Sequence, residues 1–348
     1  MFERLKRMFS DDIGIDLGTA NTLVYVKGHG IVINEPSVVA INQKTGQIVA
    51  IGKDANKMVG RTPGHVVAVR PLVDGVISNF EATEEMLAYF MKKALASGKK
   101  RIIGPRVVVG VPSGITNVEK RAVRDAVRNA GAREVHVIEE PMAGAIGTRL
   151  PVREPVGSMV VDIGGGTTDI AVISLSGIVS AKNLRIAGDR LNDDISSFVR
   201  EEFKILIGEK TAEALKIGIG SAMELDQSLQ MTVRGRDLVT GLPREIVVSD
   251  SDIREAISSS LGLIVESVKE VLEITPPEVV ADVMNRGLVL VGGGALIQNI
   301  ARLLEEELKI PIYIAEDPLT CVVRGAGHVL ENMDQYGSVL LKDEDAQI

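Results

Sequence analysis

At 348 residues the chain is longer than one hydrophobic core usually serves, so two domains are expected. Its 45% hydrophobic and 25% charged residues are ordinary globular usage, and a net charge of −8 argues against a generic nucleic-acid binder. A lone Cys321 excludes an intramolecular disulfide framework, no run approaches 18 apolar residues, and the first residues do not read as a signal peptide, so the expected location is the cytoplasm.

On a helical wheel, Met1, Phe2, Leu5, Met8 and Phe9 fall within an arc of about 120°, with Glu3, Arg4, Lys6 and Arg7 opposite. Three cations against one anion leave this face net +2 in an otherwise acidic chain. An apolar stripe flanked by cations suits a helix lying in a membrane interface. So short a helix is unstable in water, so one copy should bind lipid weakly and an array of copies well. Lys99-Lys100-Arg101-Ile102-Ile103 is a second candidate contact, with a basic loop entering a strand as its alternative.

Ile13 to Val26 reads as two strands around the polar turn Gly18-Thr19-Ala20-Asn21. Val38 to Ile41 and Ile48 to Ile51 read as short strands joined at Thr45-Gly46. Apolar positions 86, 87, 90, 91, 94 and 95 predict a helix over Glu84 to Leu95. Arg106 to Val111 is a buried strand, followed by Pro112-Ser113-Gly114 and a helix from Asn117 to about Ala130. Met159 to Ile173 is again strand, turn, strand. Val289-Leu290-Val291-Gly292-Gly293-Gly294-Ala295 leads from a strand into a helix expected near Leu296. The class is α/β.

A repeat is the most informative feature. Gly14-Ile15-Asp16-Leu17-Gly18-Thr19-Ala20-Asn21-Thr22 is matched 146 residues on (162 − 16) by Val160-Val161-Asp162-Ile163-Gly164-Gly165-Gly166-Thr167-Thr168-Asp169. Each copy places an apolar strand before an aspartate, then a Gly-rich turn bearing hydroxyls. A repeat of this size is a domain. Facing copies would set two turns on opposite walls of one cleft. Convergent backbone N–H groups without intervening side chains suit a phosphate. An aspartate leading each turn would repel that phosphate unless a divalent cation lay between them, most naturally Mg²⁺ through water, which makes Asp16 and Asp162 the expected metal partners. No P-loop sequence occurs.

Asp16-Leu17-Gly18-Thr19, Asp162-Ile163-Gly164-Gly165-Gly166-Thr167-Thr168-Asp169 and Val291-Gly292-Gly293-Gly294 resemble the two phosphate motifs and the adenosine motif of the actin, heat-shock chaperone and sugar kinase superfamily. Val109-Gly110-Val111-Pro112 is similar to its first connecting segment, and Glu139-Glu140-Pro141-Met142-Ala143-Gly144-Ala145 to its hinge helix. The resemblance covers about residues 13 to 330. Arg70-Pro71-Leu72-Val73-Asp74-Gly75-Val76-Ile77 resembles the bacterial actins of rod-shaped cells in particular.

The resemblance implies an actin-like fold: two duplicated ribonuclease H-like domains with small inserted subdomains and a central cleft for ATP and Mg²⁺. The expected division is a membrane helix over 1–10, domain I over 11–154 with an insertion at about 34–74, domain II over 155–336 with an insertion at about 189–255, and a tail over 337–348. It also implies nucleotide contacts from Gly18, Thr19, Ala20, Asn21, Gly164, Gly165, Gly166, Thr167, Gly292, Gly293, Gly294 and Ala295, from Glu213 and Lys216 toward the adenosine, and from Gly188 and Asp189 toward the ribose. The alternative for Glu213 and Lys216 is a surface pair on a helix. For hydrolysis, Glu140 is the expected water-orienting residue, with Glu139 as competitor. Thr167 is expected beside that water. Asp74 is either a γ-phosphate sensor or a turn residue at Asp74-Gly75.

The function so implied is a polymerising cytoskeletal ATPase, peripheral on the inner face of the cell membrane. It would organise cell-wall synthesis in rod-shaped cells with membrane cell-shape proteins such as RodZ. A small-molecule phosphotransferase of the same fold is the alternative, though no second substrate pocket announces itself. A chaperone nucleotide-binding domain would need a substrate domain beyond Tyr336.

Overall fold

The computed structural model describes residues 12–96 and 104–342. The amphipathic start, the Lys99–Ile103 segment and the last six residues lie outside them, so the membrane expectations fall on undescribed residues.

Two five-stranded sheets carry the molecule, and they are copies of one another. In the first half, β1 (Ile13–Leu17), β2 (Asn21–Val26) and β3 (Gly30–Pro36) form an antiparallel meander. A small three-stranded sheet follows, β4 (Val39–Asn42), β5 (Ile48–Ile51) and β6 (Val66–Val69), with helix α1 (Lys53–Met58) packed on it. The chain turns through the two-residue strands β7 (Leu72–Val73) and β8 (Val76–Ile77) into α2 (Phe80–Leu95). Strands β9 (Arg106–Val111) and β10 (Glu134–Glu139), joined by α3 (Asn117–Asn129), add in parallel, giving the order β10-β9-β1-β2-β3. Helix α4 (Glu140–Gly147) closes this half.

The second half repeats the plan. Strands β11 (Ser158–Ile163), β12 (Thr168–Ser174) and β13 (Gly177–Leu184) form the meander. Helix α5 (Gly188–Glu202), β14 (Ile205–Leu206), α6 (Glu209–Ile219), β15 (Gln230–Asp237) and β16 (Pro243–Ser249) make the small unit, and α7 (Asp250–Glu273) and α8 (Pro277–Arg286) return to the sheet. Strand β17 (Leu288–Val291), α9 (Ile300–Leu308) and β18 (Ile312–Ile314) complete the order β13-β12-β11-β17-β18, and α10 (Cys321–Glu331) takes the place of α4.

Local chemistry sets these boundaries. Helix α2 begins four residues before the apolar pattern, because the Asn79 side chain accepts from the Ala82 N–H and caps it at Phe80. Thr116 and Glu119 form a capping box that starts α3. The helix expected near Leu296 is instead a single 3-10 turn, Gly293–Leu296. The α-helix begins only at Ile300, after Asn299 adopts a left-handed φ of 60°.

Each sheet has its own core, and a third joins them. Helices α4 and α10 lie face to face between the sheets, burying Met142, Ala143 and Ile146 against Val322, Ala326 and Val329. Close crossing requires glycine on both: a Cβ on Gly147 would collide with the Cys321 carbonyl, and one on Gly325 with that of Ala143. This packed pair is the floor on which the two halves meet.

Candidate functional site

A cavity of about 490 Å³ opens between the halves, within the range of nucleotide-sized sites. Its lower wall is the pair of repeated turns. The first turn is fixed from below: Ser37 Oγ donates to the Gly18 carbonyl at 2.6 Å, the Ser37 N–H to that of Ala20, and the Gly75 N–H to Thr19 Oγ1 at 3.0 Å. The second is pinned to the start of α5, where the Gly188 and Asp189 N–H groups donate to the Gly164 and Gly165 carbonyls at 3.1 and 2.8 Å. The turns touch. A Cβ on Gly165 would lie 2.7 Å from the Ala20 Cβ, and one on Gly166 would lie 2.6 Å from Thr19 Oγ1 and 3.0 Å from the Asp74 backbone. Glycine in the second turn is therefore what lets the halves approach.

Beneath the turns, Asp16, Asp162 and Glu140 line the cavity. Burial pushes the Asp16 carboxyl up to about 7. Burial raises Glu140 and Asp162 well above the carboxylate range, and negative neighbours add to this: Asp169, Asp16 and Asp162 act on Glu140, and Asp16 and Asp169 on Asp162. Asp169 faces Asp162 across the strand pair and rises to about 6 through burial. Hydrogen bonds from Asn183 Nδ2 at 2.9 Å and from the Ser113 N–H at 2.7 Å hold it from rising further. Because Ser113 belongs to the first half, Asp169 also ties the halves together.

Such crowded acids fit a divalent cation, which would neutralise them. Among the described residues no three His, Cys, Asp or Glu side chains are placed to chelate an ion by themselves. The donor set fits a Mg²⁺ that keeps most of its waters, which Asp16 and Asp162 would hold through them.

The opposite end is apolar. Leu296, Ile297, Pro318, Leu319 and Ile217 line it, and Leu296, Leu319 and Ile217 stay 56%, 47% and 73% exposed, which leaves apolar surface for a flat ring to cover. Gly292, Gly293 and Gly294 give this end a bare backbone. Gly292 has φ 79°, and a Cβ there would strike Asp162 and the Ile163 carbonyl. Glu213 and Lys216 form the rim on α6, with Lys216 Nζ donating to the Gly188 carbonyl at 2.8 Å. Burial lowers the Lys216 ammonium, and the nearby acids Glu213 and Asp189 oppose that.

Gly18, Thr19, Ala20, Asn21, Gly164, Gly165, Gly166, Thr167, Gly188, Asp189, Glu213, Lys216, the three glycines 292–294, Asp16, Asp162 and Glu140 thus share one cavity. Two expected positions do not. Ala295 packs in the second core: a 3-10 turn has three residues per turn, so Gly293 and Leu296 share the cavity side while Ala295 rotates away. Asp74, with φ 49°, and Gly75, with φ 75°, form the two-residue hairpin between β7 and β8, which is the turn role. Gly75 faces the main cavity, whereas Asp74 lines a second one of about 420 Å³. Glu139, the competitor to Glu140, ends β10 outside the cavity lining. The apolar wall and Asp169 were missed as contacts. Asp169 carried a signal, since it closes the second copy of the repeat; the apolar wall carried none.

Two copies of a five-stranded α/β unit, hinged on crossed helices with a phosphate-suited cavity between them, define an actin-like nucleotide-cleft protein. The MreB/Mbl protein family model matches residues 10–338, and the chain belongs to that family. It is 52% identical to the cell shape-determining protein MreB of Escherichia coli (strain K12) over 348 residues, 99% of this chain and 100% of that one. MreB5 of Spiroplasma citri, solved with ADP, superposes with a TM-score of 0.89 at 39% identity, covering 94% of this chain and 98% of that one. Its AMPPNP-bound form gives 0.88 at 40%, covering 94% and 97%. Family membership makes the chain a bacterial actin-like protein of cell shape.

Proposed function

We propose that the chain is an ATPase that binds Mg²⁺·ATP between its two repeated turns, polymerises with copies of itself, and works in the cytoplasm on the inner face of the cell membrane. The observation that carries this is the meeting of Gly18–Asn21 and Gly164–Thr167 above buried acids in one cavity. The nucleotides bound by the Spiroplasma relative support it.

In this reading the turn N–H groups and the Thr19 and Thr167 hydroxyls hold the phosphates, while the apolar wall and bare Gly292–Gly294 backbone take the base. Asp16 and Asp162 would hold Mg²⁺ through water, and the ion would neutralise phosphate charge. Glu140, rooted at the first turn of α4, orients the attacking water, and would accept its proton once a cation among the neighbouring acids had restored its ionised form. Thr167 lines the same cavity. The undescribed residues Met1, Phe2, Leu5, Met8 and Phe9 supply the lipid contact, strengthened by polymerisation, and membrane cell-shape proteins such as RodZ would be partners. Family membership favours this role over a small-molecule phosphotransferase.

The test is light scattering and phosphate release from the full chain with ATP and Mg²⁺. The expected result is scattering that rises with ATP and phosphate release that follows it. Nucleotide binding without assembly, together with transfer of phosphate to a small acceptor, would overturn the reading.

A further inference from the structure

The floor of the cleft is packed and apolar, whereas at its mouth the small units of the two halves are joined by hydrogen bonds and ion pairs. Arg70 follows β6 in the first half and is held ahead of Pro71. Its guanidinium reaches across: Nη2 bonds to the Glu209 carboxylate, and Nη1 lies 3.8 Å from Asp189 Oδ1. Lys210, beside Glu209, donates in the other direction to the Asn56 carbonyl in the last turn of α1. Both acids sit in first helical turns and the carbonyl in a last turn, where charges of these signs are favoured.

These contacts bear on the site because of what they hold. Glu209 begins α6, and Glu213 and Lys216, one and two turns further along the same face, line the cavity. Asp189 lines it too, with its N–H fixed on the second turn. Arg70 therefore joins the two helices of the nucleoside-end wall to the opposite half of the molecule. Its side chain is 28% exposed and those of its partners 37% and 43%, so water can compete for the pairs. Arg70 thus lies at the water-accessible side of the seam, across the cleft from the packed helix pair that joins the halves.

We infer that Arg70 is a positioning residue: it clasps Asp189 and Glu209 across the cleft mouth and sets the residence time of the bound nucleotide. The inference rests on the cavity holding a nucleotide.

The experiment is stopped-flow release of a fluorescent N-methylanthraniloyl-ATP from the full chain in Mg²⁺, chased with excess ATP. Arg70→Met keeps the apolar stem and loses the charge; its dissociation rate should rise about tenfold, equal to about 1.4 kcal/mol. The association rate should stay within about twofold, because the binding surfaces are intact. Arg70→Lys should fall between, and Glu209→Gln should reproduce part of the rise from the opposite wall. The double variant should release no faster than Arg70→Met alone, because the two side chains act as one unit. Unchanged dissociation in Arg70→Met, or single effects that multiply in the double variant, would overturn the clasp. A parent chain that fails to bind the fluorescent nucleotide would instead sink the nucleotide reading itself. Circular dichroism of each variant separates a lost fold from a lost clasp, and Glu209→Gln carries the test should Arg70→Met not fold.

Discussion

The two halves share one skeleton, yet corresponding residues do different work. Strand β10 runs into Glu139-Glu140-Pro141 and α4; its counterpart β18 runs into Glu316-Asp317-Pro318 and α10. Glu140 is a cavity-lining acid, raised by burial and by its acidic neighbours. Asp317 takes a left-handed φ of 50°, and its Oδ2 accepts from Thr320 Oγ1 at 2.7 Å, so its carboxylate is occupied at the start of the helix. The paired turns diverge likewise. The first keeps side chains at Thr19, Ala20 and Asn21, and the second is bare at Gly164–Gly166 to receive them. Opposite Asp16 the sheet has Leu23, and opposite Asp162 it has Asp169, which reaches over to Ser113. Duplication supplied two walls; divergence left a buried acid facing the cavity on one and a bare turn that allows close approach on the other.

Removing the two matched acids in turn should separate the roles of the halves most strongly. Glu140→Ala should slow ATP hydrolysis by about 10²-fold or more while nucleotide is still bound, as phosphate release and fluorescent-nucleotide titration would show. Asp317→Ala should leave the hydrolysis rate near that of the parent and cost about 1–2 kcal/mol of stability in denaturant unfolding, from the lost hydrogen bond with Thr320 and from alanine at a left-handed φ. Equal losses of hydrolysis in both would erase the distinction.

A smaller effect is expected from the turns. Gly166→Ala places a methyl against Thr19 Oγ1 and the Asp74 backbone, and should weaken nucleotide binding by about tenfold through about 1–2 kcal/mol of overpacking. Ala20→Gly, which only removes a methyl from the facing turn, should change affinity by less than about threefold. Titration of each variant with fluorescent nucleotide checks both.

The smallest effect concerns pH. Asp16 rises from 3.8 to about 7 in the folded, metal-free chain, so it favours folding while protonated. That contribution is complete below pH 4 and is lost as pH rises through 7. Without nucleotide and with a chelator present, the melting temperature should therefore fall between pH 6 and pH 8 by more in the parent than in Asp16→Asn. Stabilisation by Mg²⁺ with nucleotide should grow over the same range, since the ion needs ionised acids.

Much of this was legible in the sequence because the repeat is local: an aspartate, a Gly-rich turn and two strands are read within ten residues. Glu140 was legible through its motif. The rest depends on tertiary placement. Leu296 with Ile297, Pro318 with Leu319, and Ile217 come from three separate elements of the second half, and each reads alone as an ordinary core or surface residue. Leu296 was hidden further because the expected helix is a 3-10 turn, which also turned Ala295 inward. Asp74 lines the second cavity and Gly75 the main one, because the chain between β7 and β8 turns in two residues, both at positive φ. The correspondence of Glu140 with Asp317 emerges only once β10 and β18 occupy matching sheet edges.

The central claim is that both repeated turns grip one triphosphate. A crystal structure of the full chain with Mg²⁺ and a non-hydrolysable ATP analogue tests it most directly. Phosphates are expected between Gly18–Asn21 and Gly164–Thr167, the base against Leu296 and Leu319, and Glu140 facing the terminal phosphate. Density for the analogue outside this cavity, or touching one turn only, would contradict it.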